Sequence, residues 1–253
     1  MNNHPTGLFD SGVGGISVLR EVQKLLPREQ LIYYADSGHC PYGGKPRKEI
    51  IARACAITEF LLAQGAKLIV VACNTATIAA VEHLRATYPV PFVGMEPAVK
   101  PAVAHTRSGV VGVLATGAAL AGEKFHNLVA QHAQGVRMIT QPCPGLVECV
   151  ERGDLDGHEP RKLVAQYTEP LLQAGADTLV LGCTHYPFLR PLIAEIVGPN
   201  VTLLDTGEAV ARQTRRVLER EQLLNDHSDG GVTWHTSGDA VDFERLHQLL
   251  MAR

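Results

Sequence analysis

Short runs of branched apolar residues alternate along the chain with longer segments of helical periodicity, and this alternation predicts an α/β fold. In the first half, the pattern predicts strands at 6–9, 31–35, 68–72 and 89–96. It predicts helices between them, at 17–26, 47–64 and 77–87. Strands that are separated by helices run parallel in one sheet, so we expect a parallel-rich sheet here.

The same cycle begins again near Glu96, where residues 110–116 resemble residues 6–11. Further strands are predicted at 136–140, 178–182 and 201–205, and a tail follows with a long helix, a possible edge strand at 231–236 and a last helix. We therefore predict two similar α/β domains related by a pseudo-two-fold duplication, residues 1–95 with 209–253 and residues 96–208. Ligands bind beyond the carboxyl ends of parallel strands, so we expect the functional site in the cleft between these domains.

Two similar strings, at 70–75 and 180–185, hold the candidate chemistry. Each is an apolar strand that ends at a cysteine followed by polar residues, and Cys183 follows Cys73 by 110 positions. The similarity extends upstream at the same offset. Thiols at the same strand end of two related halves can lie on opposite sides of one small ligand. That geometry allows a proton to be taken from one side of a carbon and returned to the other.

Polar neighbours of the two cysteines suit a catalytic site, although each also has a structural interpretation. Cys73 lies before a predicted helix, where backbone N–H groups stabilise a thiolate. Asn74 and Thr75 can cap that helix or donate to a ligand. His185 can adjust the Cys183 thiol or bind a substrate carboxylate, or it can simply bond to the backbone. The alternative for both cysteines is burial in the core with ordinary capping neighbours.

The Gly-rich turn after the first predicted strand is a candidate binding loop. Asp10 and Ser11 end that strand, and an anion there can pair with an ammonium group or an acid/base, or cap the helix that follows. The glycines of the turn lack the spacing of a nucleotide-binding motif, so we favour close approach to a small carboxylate. Tyr42 and Gly43 lie in a loop rich in Gly and Pro that can close over the cleft or form a surface turn.

The remaining cysteines and two acidic residues have simpler interpretations. No cysteine has the spacing of a zinc site or belongs to a CxxC pair. We interpret the four others as small buried hydrophobic residues, namely Cys40, Cys55, Cys143 and Cys149. Glu148 and Glu151 share one face of a short predicted helix at 146–152, and a solvated helix face is the default interpretation for them.

Composition changes this picture little. The chain has 253 residues, of which 45% are hydrophobic and 19% charged, with a formal net charge of −3. This charge gives no reason to expect nucleic acid or an anionic membrane as a partner. No apolar run approaches the ~20 residues of a membrane span, and the segment from Met1 to Pro5 lacks the features of a signal peptide. We therefore expect a cytoplasmic protein whose cysteines are thiols.

Five strings follow one another in a fixed order, at 7–22 (GLFDSGVGGISVLREV), 33–43 (YYADSGHCPYG), 70–81 (VVACNTATIAAV), 179–189 (LVLGCTHYPFL) and 203–211 (LLDTGEAVA). Together they resemble the glutamate racemases of the cofactor-independent aspartate/glutamate racemase family, and the resemblance covers nearly the whole chain. Aspartate racemases of this family typically have Glu where this chain has His185, so the resemblance favours glutamate as the substrate.

The resemblance implies catalytic roles for five residues. Cys73 and Cys183 would be the two acid/bases, with Asp10 assisting Cys73 and His185 assisting Cys183. Glu151 falls where the family has a further assisting glutamate. The substrate-binding residues that the resemblance implies are Asp10, Ser11, Tyr42, Gly43, Asn74, Thr75, Thr184 and His185.

The resemblance also implies a reaction and its setting. L-glutamate and D-glutamate would be interconverted by two-base proton transfer with no cofactor and no metal ion, by a protein that commonly forms homodimers. The D-glutamate would supply peptidoglycan synthesis. The alternatives are an aspartate racemase, a two-lobed amino-acid-binding protein without chemistry, and a redox switch that joins Cys73 to Cys183. A pyridoxal-phosphate racemase would need a lysine beside a phosphate-binding loop. The lysines in helical or linker contexts have no such neighbour, namely Lys24, Lys48, Lys67, Lys124 and Lys162.

Overall fold

The computed structural model describes residues 4–225 and 229–253, and the chain divides into two compact units. Unit 1 comprises residues 1–95 and 207–253, and unit 2 comprises residues 96–206. The boundary predicted after residue 95 coincides with the boundary between these units. The second boundary is predicted after residue 208, whereas unit 2 ends at residue 206. The domain assignment itself stays a prediction. The N-terminal segment that bears on a signal peptide lies mostly outside the described residues.

Strands and helices alternate along the chain, as the hydrophobic pattern predicts. The strands are β1 (Thr6–Asp10), β2 (Gln30–Ala35), β3 (Leu68–Val71), β4 (Phe92–Val93), β5 (Val110–Ala115), β6 (Arg137–Pro142), β7 (Thr178–Leu181), β8 (Thr202–Leu204) and β9 (Gly231–Thr236). The helices are α1 (Ile16–Leu25), α2 (Arg47–Ala63), α3 (Asn74–Thr87), α4 (Val99–His105), α5 (Gly117–Leu120), α6 (Glu123–His132), α7 (Leu146–Glu151), α8 (His158–Gln173), α9 (Arg190–Val197), α10 (Gly207–Arg220) and α11 (Ala240–Met251). Short 3-10 turns lie at Ser37–His39, Tyr42–Gly44 and Tyr186–Leu189. Within the described ranges, none of these helices is long and apolar enough to cross a membrane.

The sheet of unit 1 has the strand order β4-β3-β1-β2-β9, and all its pairs are parallel. At its centre, Leu8 pairs with Tyr33 on β2 and with Val70 on β3. Strands β1 and β3 are buried along their whole length, which explains why their sequences are almost continuously apolar. Because the strands are parallel, the turn after β1 and the start of α3 lie at the same edge of this sheet.

The sheet of unit 2 has the strand order β6-β5-β7-β8 and is also parallel throughout. This is the order β2-β1-β3-β4 of unit 1, strand for strand. Val113 lies between Thr140 and Val180 in the same way that Leu8 lies between Tyr33 and Val70. The tail adds β9 to unit 1 as a fifth strand. The prediction of an α/β fold with two similar parallel sheets is confirmed.

Most predicted ends agree with the structure within two residues, and two elements differ by three residues at an end. The strand predicted at 89–96 pairs only over the two residues of β4, because Pro89 and Pro91 have no N–H to donate to a ladder. The third helix begins at Asn74, earlier than predicted, because Cys73 itself is the N-cap. Its Sγ accepts a backbone N–H from the first turn of α3 at 3.4 Å.

One hydrophobic cluster in the core of unit 1 lies between its sheet and the helices α2 and α3. It contains Phe9 and Val71 from the strands, Ile57 from α2 and Leu84 from α3. Each large apolar side chain contributes about 1.5–3 kcal/mol to stability when it is buried. This packing fixes α3, and with it Cys73, against the sheet.

Candidate active site

The turn after β1 is closed by the side chain of its first residue. The Asp10 carboxylate is completely buried and accepts the backbone N–H groups of Ser11 at 2.7 Å and of Gly15 at 2.6 Å. A Cβ at Gly15 would lie 2.7 Å from Asp10 Cβ and 3.1 Å from the carbonyl oxygen of Ala72, so only glycine fits there. Gly15 is the N-cap of α1. Asp10 therefore shapes the turn instead of serving as an N-cap.

Cys73 lies where β3 meets α3, and only 5% of its surface is exposed. Its Sγ lies 3.8 Å from Ser11 Oγ, which in turn lies 3.4 Å from Asp10 Oδ1. The structure of unit 1 thus brings Asp10, Ser11 and Cys73 into one connected group. The N-terminal end of α3 favours a negative charge at the sulfur.

Asn74 and Thr75, the first two residues of α3, are both buried polar side chains. Asn74 Oδ1 has no hydrogen-bond partner within the part of the chain that the structure describes. A buried carbonyl oxygen without a donor costs about 1–3 kcal/mol, and such groups in native proteins usually have a partner. A ligand with an N–H donor would supply one, which makes Asn74 a better candidate for binding than for capping.

Tyr42 is buried, so the interpretation of its loop as a surface turn is wrong for this residue. Its hydroxyl donates to Asp36 Oδ2 at 2.5 Å, and Arg53 from α2 donates to both oxygens of the same carboxylate at 2.9 and 2.7 Å. Burial and the Asp36 carboxylate raise the pKa of Tyr42, so the phenol stays protonated. Gly43, beside it, is half-buried in the 3-10 turn.

Asp36 organises this loop, and the sequence analysis did not single it out. It is completely buried, and Ser237 Oγ also donates to it at 2.7 Å. Burial by itself raises the pKa of Asp36, but the hydrogen bonds from Arg53, Tyr42 and Ser237 outweigh burial and hold the pKa below its usual range. A signal was available in the sequence, because an aspartate followed by a serine comes at the carboxyl end of both strands, as the last residue of β1 (Asp10) and directly after β2 (Asp36).

In unit 2, three predicted residues form a hydrogen-bonded chain. Cys183 follows β7, and its Sγ lies 3.6 Å from His185 Nδ1. His185 Nε2 lies 2.6 Å from Glu151 Oε1, at the end of α7. The imidazole is almost completely buried, and Thr184 beside it is buried as well. The solvated-face interpretation is therefore wrong for Glu151.

The order of these three groups determines what they can do. A carboxylate accepts the Nε2–H of a histidine, and the Nδ1 lone pair then points to the thiol. An imidazole held in this way can exchange a proton with a neighbouring sulfur. Unit 2 therefore contains a thiol beside a histidine that can exchange a proton with it. A carboxylate holds the other side of that histidine.

The family model described as Asp/Glu/Hydantoin racemase matches residues 14–214 of the chain, which is more than half of its length. The chain belongs to this family. The match includes Cys73, Glu151, Cys183 and His185, whereas Asp10 and Ser11 lie just before its first residue.

Individual racemases of the family are similar over their whole length. The glutamate racemase of Herpetosiphon aurantiacus is 57% identical over 251 residues, which is 99% of each protein. Glutamate racemase isoform RacE1 of Bacillus anthracis has a TM-score of 0.90 and 30% identity, covering 100% of this chain and 96% of that one. The Escherichia coli glutamate racemase, solved with L-glutamate and the activator UDP-MurNAc-ala, has a TM-score of 0.87 and 32% identity, covering 98% and 95%. The predicted family is thereby confirmed.

The other four cysteines of this racemase-family chain fall into two groups. Cys143 and Cys149 are buried, as predicted, but Cys40 and Cys55 are only half-buried, so the prediction is wrong for them. Cys55 lies on α2 beside the Tyr88 hydroxyl near the surface. Burial, and then the neighbouring Cys183, raise the pKa of Cys143 to about 12. Cys143 therefore stays a neutral thiol.

One group in unit 2 has metal-ligand atoms close together, although the sequence predicts no metal site. Cys149, Asp154 and Glu159 present one such atom each, all within 4.8 Å of one another. Arg152 donates to Glu159 Oε2 at 2.7 Å and to Cys149 Sγ at 3.7 Å. Because its guanidinium already places a positive charge there, we interpret the group as an ion-pair cluster.

Proposed function

We propose that this chain is a glutamate racemase that interconverts L-glutamate and D-glutamate by two-base proton transfer. The observation that carries the proposal is the repeated strand end with a buried cysteine and its own polar partner. Cys73 has Ser11 and Asp10 beside it, and Cys183 has His185 and Glu151. The names of the full-length relatives and the L-glutamate in the E. coli structure support this choice of substrate.

In the proposed reaction, one cysteine is a thiolate and the other a thiol when the substrate binds. The thiolate sulfur takes the α-proton, and the electron pair of the broken C–H bond stays on the α-carbon and its carboxylate. The other thiol then gives its proton to the opposite side of that carbon. The first cysteine ends as a thiol and the second as a thiolate, so the reverse reaction starts with their roles exchanged.

Each thiol has a different assistant in this proposal. At Cys183, His185 takes or returns the thiol proton, and Glu151 stabilises the imidazolium that forms. At Cys73, Ser11 connects the sulfur with the buried Asp10 carboxylate. General acid–base assistance of this kind contributes about 10²–10⁴-fold to a rate.

Substrate binding uses the polar residues that surround the two cysteines. We assign the substrate ammonium group to Asn74 Oδ1, the buried acceptor that lacks a donor within the described ranges. Thr75 and Thr184 supply hydroxyl donors for the carboxylates. The Ser11 hydroxyl already donates to Asp10, so we assign to Ser11 the substrate contact that its backbone and its place beside Cys73 allow. Donors that are fixed before the reaction stabilise the developing carbanion without reorganisation, which is the largest single contribution in many enzymes.

Tyr42 and Gly43 complete the proposed binding residues. The Tyr42 phenol is occupied by Asp36, so we assign to this residue the shape of the site and to Gly43 a backbone contact with the substrate.

The proposal extends to the setting of the reaction. We propose that the D-glutamate supplies peptidoglycan synthesis, that the protein acts in the cytoplasm, and that it forms a homodimer. Two-thiol chemistry favours a reducing compartment, because both sulfurs must stay reduced. Sedimentation equilibrium at micromolar concentration tests the dimer, which predicts twice the chain mass of 27.3 kDa.

The direct test is proton NMR of L-glutamate, and separately of L-aspartate, with purified protein in D2O and no added cofactor. We expect the α-proton signal of glutamate to disappear while D-glutamate appears on chiral chromatography. Exchange of aspartate alone would make the chain an aspartate racemase. Binding of glutamate by calorimetry with no exchange of either substrate would make it an amino-acid-binding protein instead.

A further inference from the structure

Tyr33, in the middle of β2, places a phenol beneath the turn that follows β1. Its side chain is completely buried, and its hydroxyl donates to the Gly12 carbonyl oxygen at 2.8 Å. A Cβ at Gly15 would lie only 2.8 Å from the same hydroxyl. The phenol oxygen thus lies close to both the first and the last glycine of the turn, Gly12 and Gly15.

Two side chains therefore hold this turn through hydrogen bonds to its peptide groups. The Asp10 carboxylate accepts the N–H groups at 11 and 15, and Tyr33 donates to the carbonyl at 12. Ser11 lies between these two anchors, and its Oγ lies 3.8 Å from Cys73 Sγ. A change in the orientation of the Gly12 peptide would move Ser11 relative to the sulfur.

Unit 2 has a different arrangement at the corresponding place. The two sheets match strand for strand, and Thr140 beside Val113 corresponds to Tyr33 beside Leu8. After β5, the chain is held by Thr116, the N-cap of α5, whose hydroxyl accepts the Ala119 N–H at 3.3 Å. Among the residues that the structure describes, a phenol therefore holds the turn after the first strand of the unit in unit 1 alone.

We propose that Tyr33 is a positioning residue for the racemase reaction, whose hydroxyl orients the Gly12 peptide and so holds Ser11, the residue that connects Asp10 with Cys73, beside the sulfur. This inference rests on the proposed function. Tyr33 acts through the turn and touches neither the substrate nor a reacting atom. Loss of the Tyr33 hydroxyl should therefore affect Cys73 and leave Cys183 unchanged.

The test removes only the hydroxyl, in Tyr33→Phe. The matched control is Tyr88→Phe, because the Tyr88 hydroxyl donates to Glu59 at the surface at 2.9 Å. We expect kcat to fall about tenfold in Tyr33→Phe, while KM and the control variant stay within about twofold of wild type. Circular dichroism checks that both variants are folded.

A second readout distinguishes positioning from a general loss of structure. Alkylation by iodoacetamide is measured peptide by peptide at several pH values, for Cys73 and for Cys183. We expect the pH profile of Cys73 to be displaced in Tyr33→Phe and that of Cys183 to be unchanged. We expect Ser11→Ala to displace the Cys73 profile in the same way and the double variant to add little to either change, because both changes act on one contact.

Several results would overturn the proposal. One is a Tyr33→Phe enzyme with wild-type kcat and a wild-type Cys73 profile. Another is an equal displacement of both cysteine profiles, which would indicate a purely structural role. Wild-type protein that exchanges no α-proton in D2O would contradict the proposed function, and the alkylation comparison would then still decide whether Tyr33 positions Cys73.

Discussion

At Cys183 the decisive feature is the orientation of one imidazole. His185 is held from one side by Glu151 at 2.6 Å and faces the sulfur with its other nitrogen at 3.6 Å. A histidine without such a carboxylate can adopt either tautomer and can rotate. Glu151 therefore fixes which ring nitrogen is available to the thiol, although it is 34 residues distant in sequence.

Glu151→Gln tests this role. The amide can still accept the Nε2–H, but it cannot stabilise an imidazolium, so we expect kcat to fall about tenfold with little change in KM. Steady-state kinetics in both directions provide the measurement. Glu148→Gln is the control, because Glu148 lies on the same short helix and has no role in the proposed reaction. Equal kinetics of the two variants would show that Glu151 has no part in the reaction.

Cys143 gives a prediction about stability and pH. Burial raises its pKa to about 12, whereas an unfolded thiol titrates near ~8.5. The folded state thus retains a proton that the unfolded state loses, and the stability this proton provides is present below about pH 8.5 and is lost as the pH rises towards 12. We expect the free energy of unfolding to fall by about 1 kcal/mol per pH unit above pH 8.5 from this group.

Urea unfolding at several pH values checks this slope. Between pH 6 and 8, wild type and Cys143→Ala should differ by a constant amount, the cost of the small cavity. Above pH 8.5 the wild-type free energy should fall faster than that of Cys143→Ala. Parallel curves over the whole range would contradict the assignment of a buried, protonated thiol.

The sequence predicts candidate site residues where they lie in strings at strand ends, and it does not predict candidates whose proposed roles depend on long-range contacts. Cys73, Cys183 and Asp10 each lie at the carboxyl end of an apolar run, which is a local signal. The roles of Tyr33 and Asp36 depend on which polar atoms meet after folding. In the sequence, Tyr33 has the pattern of an ordinary strand residue. Only the pairing of β1 with β2 brings its hydroxyl within hydrogen-bond distance of the Gly12 carbonyl oxygen.

At the scale of elements, a buried ion pair joins the amino-terminal ends of the strands in unit 1. Lys67, before β3, lies 2.9 Å from Glu29, before β2, and both side chains are buried. Thr6 at the start of β1 donates to Glu29 at 3.3 Å, and the Asn225 N–H donates to it at 2.6 Å. This pair therefore ties the tail of the chain to the edge of the sheet opposite Cys73.

Lys67→Met should be among the most destabilising single changes in this unit. It leaves the Glu29 carboxylate buried without its cation, and breaking a buried pair in this way costs about 3–5 kcal/mol. The measurement is the midpoint of urea unfolding, compared at equal m-value. Lys45→Met is the control, since Lys45 pairs with Glu49 in a half-exposed position and such pairs contribute less than about 1 kcal/mol. A loss as small as that of the control would contradict the account of the pair.

Most elements were predictable because their signals are local. The period of apolar residues gives the strands and helices, and even the edge strand of the tail has the predicted bounds, Gly231–Thr236. The partner of that strand was not predictable. It pairs with β2, at a separation of about 200 residues (Gln30 with Gly231), and no local pattern encodes such a pairing. The short β4 was overestimated because apolar residues continue through its prolines.

At the scale of the whole molecule, the same arrangement of four parallel strands occurs twice, and the polar residues beside the cysteine differ between the two copies. Both units contain the same order of four parallel strands, and each presents a cysteine after the equivalent strand. The partners differ, because a serine and an aspartate accompany Cys73 and a histidine and a glutamate accompany Cys183. A two-base racemase needs two acid/bases of similar strength, but it does not need them to be built alike.

The most direct measurement is α-proton exchange by Cys73→Ala and by Cys183→Ala, each with L-glutamate and with D-glutamate in D2O, followed by NMR and chiral chromatography. Racemisation should fall more than about 100-fold in each variant, because each lacks one of the two acid/bases. Calorimetry should still detect glutamate binding by both, which shows that the loss is one of chemistry. A variant with either cysteine replaced that still racemises glutamate within tenfold of the wild-type rate would contradict the two-thiol mechanism.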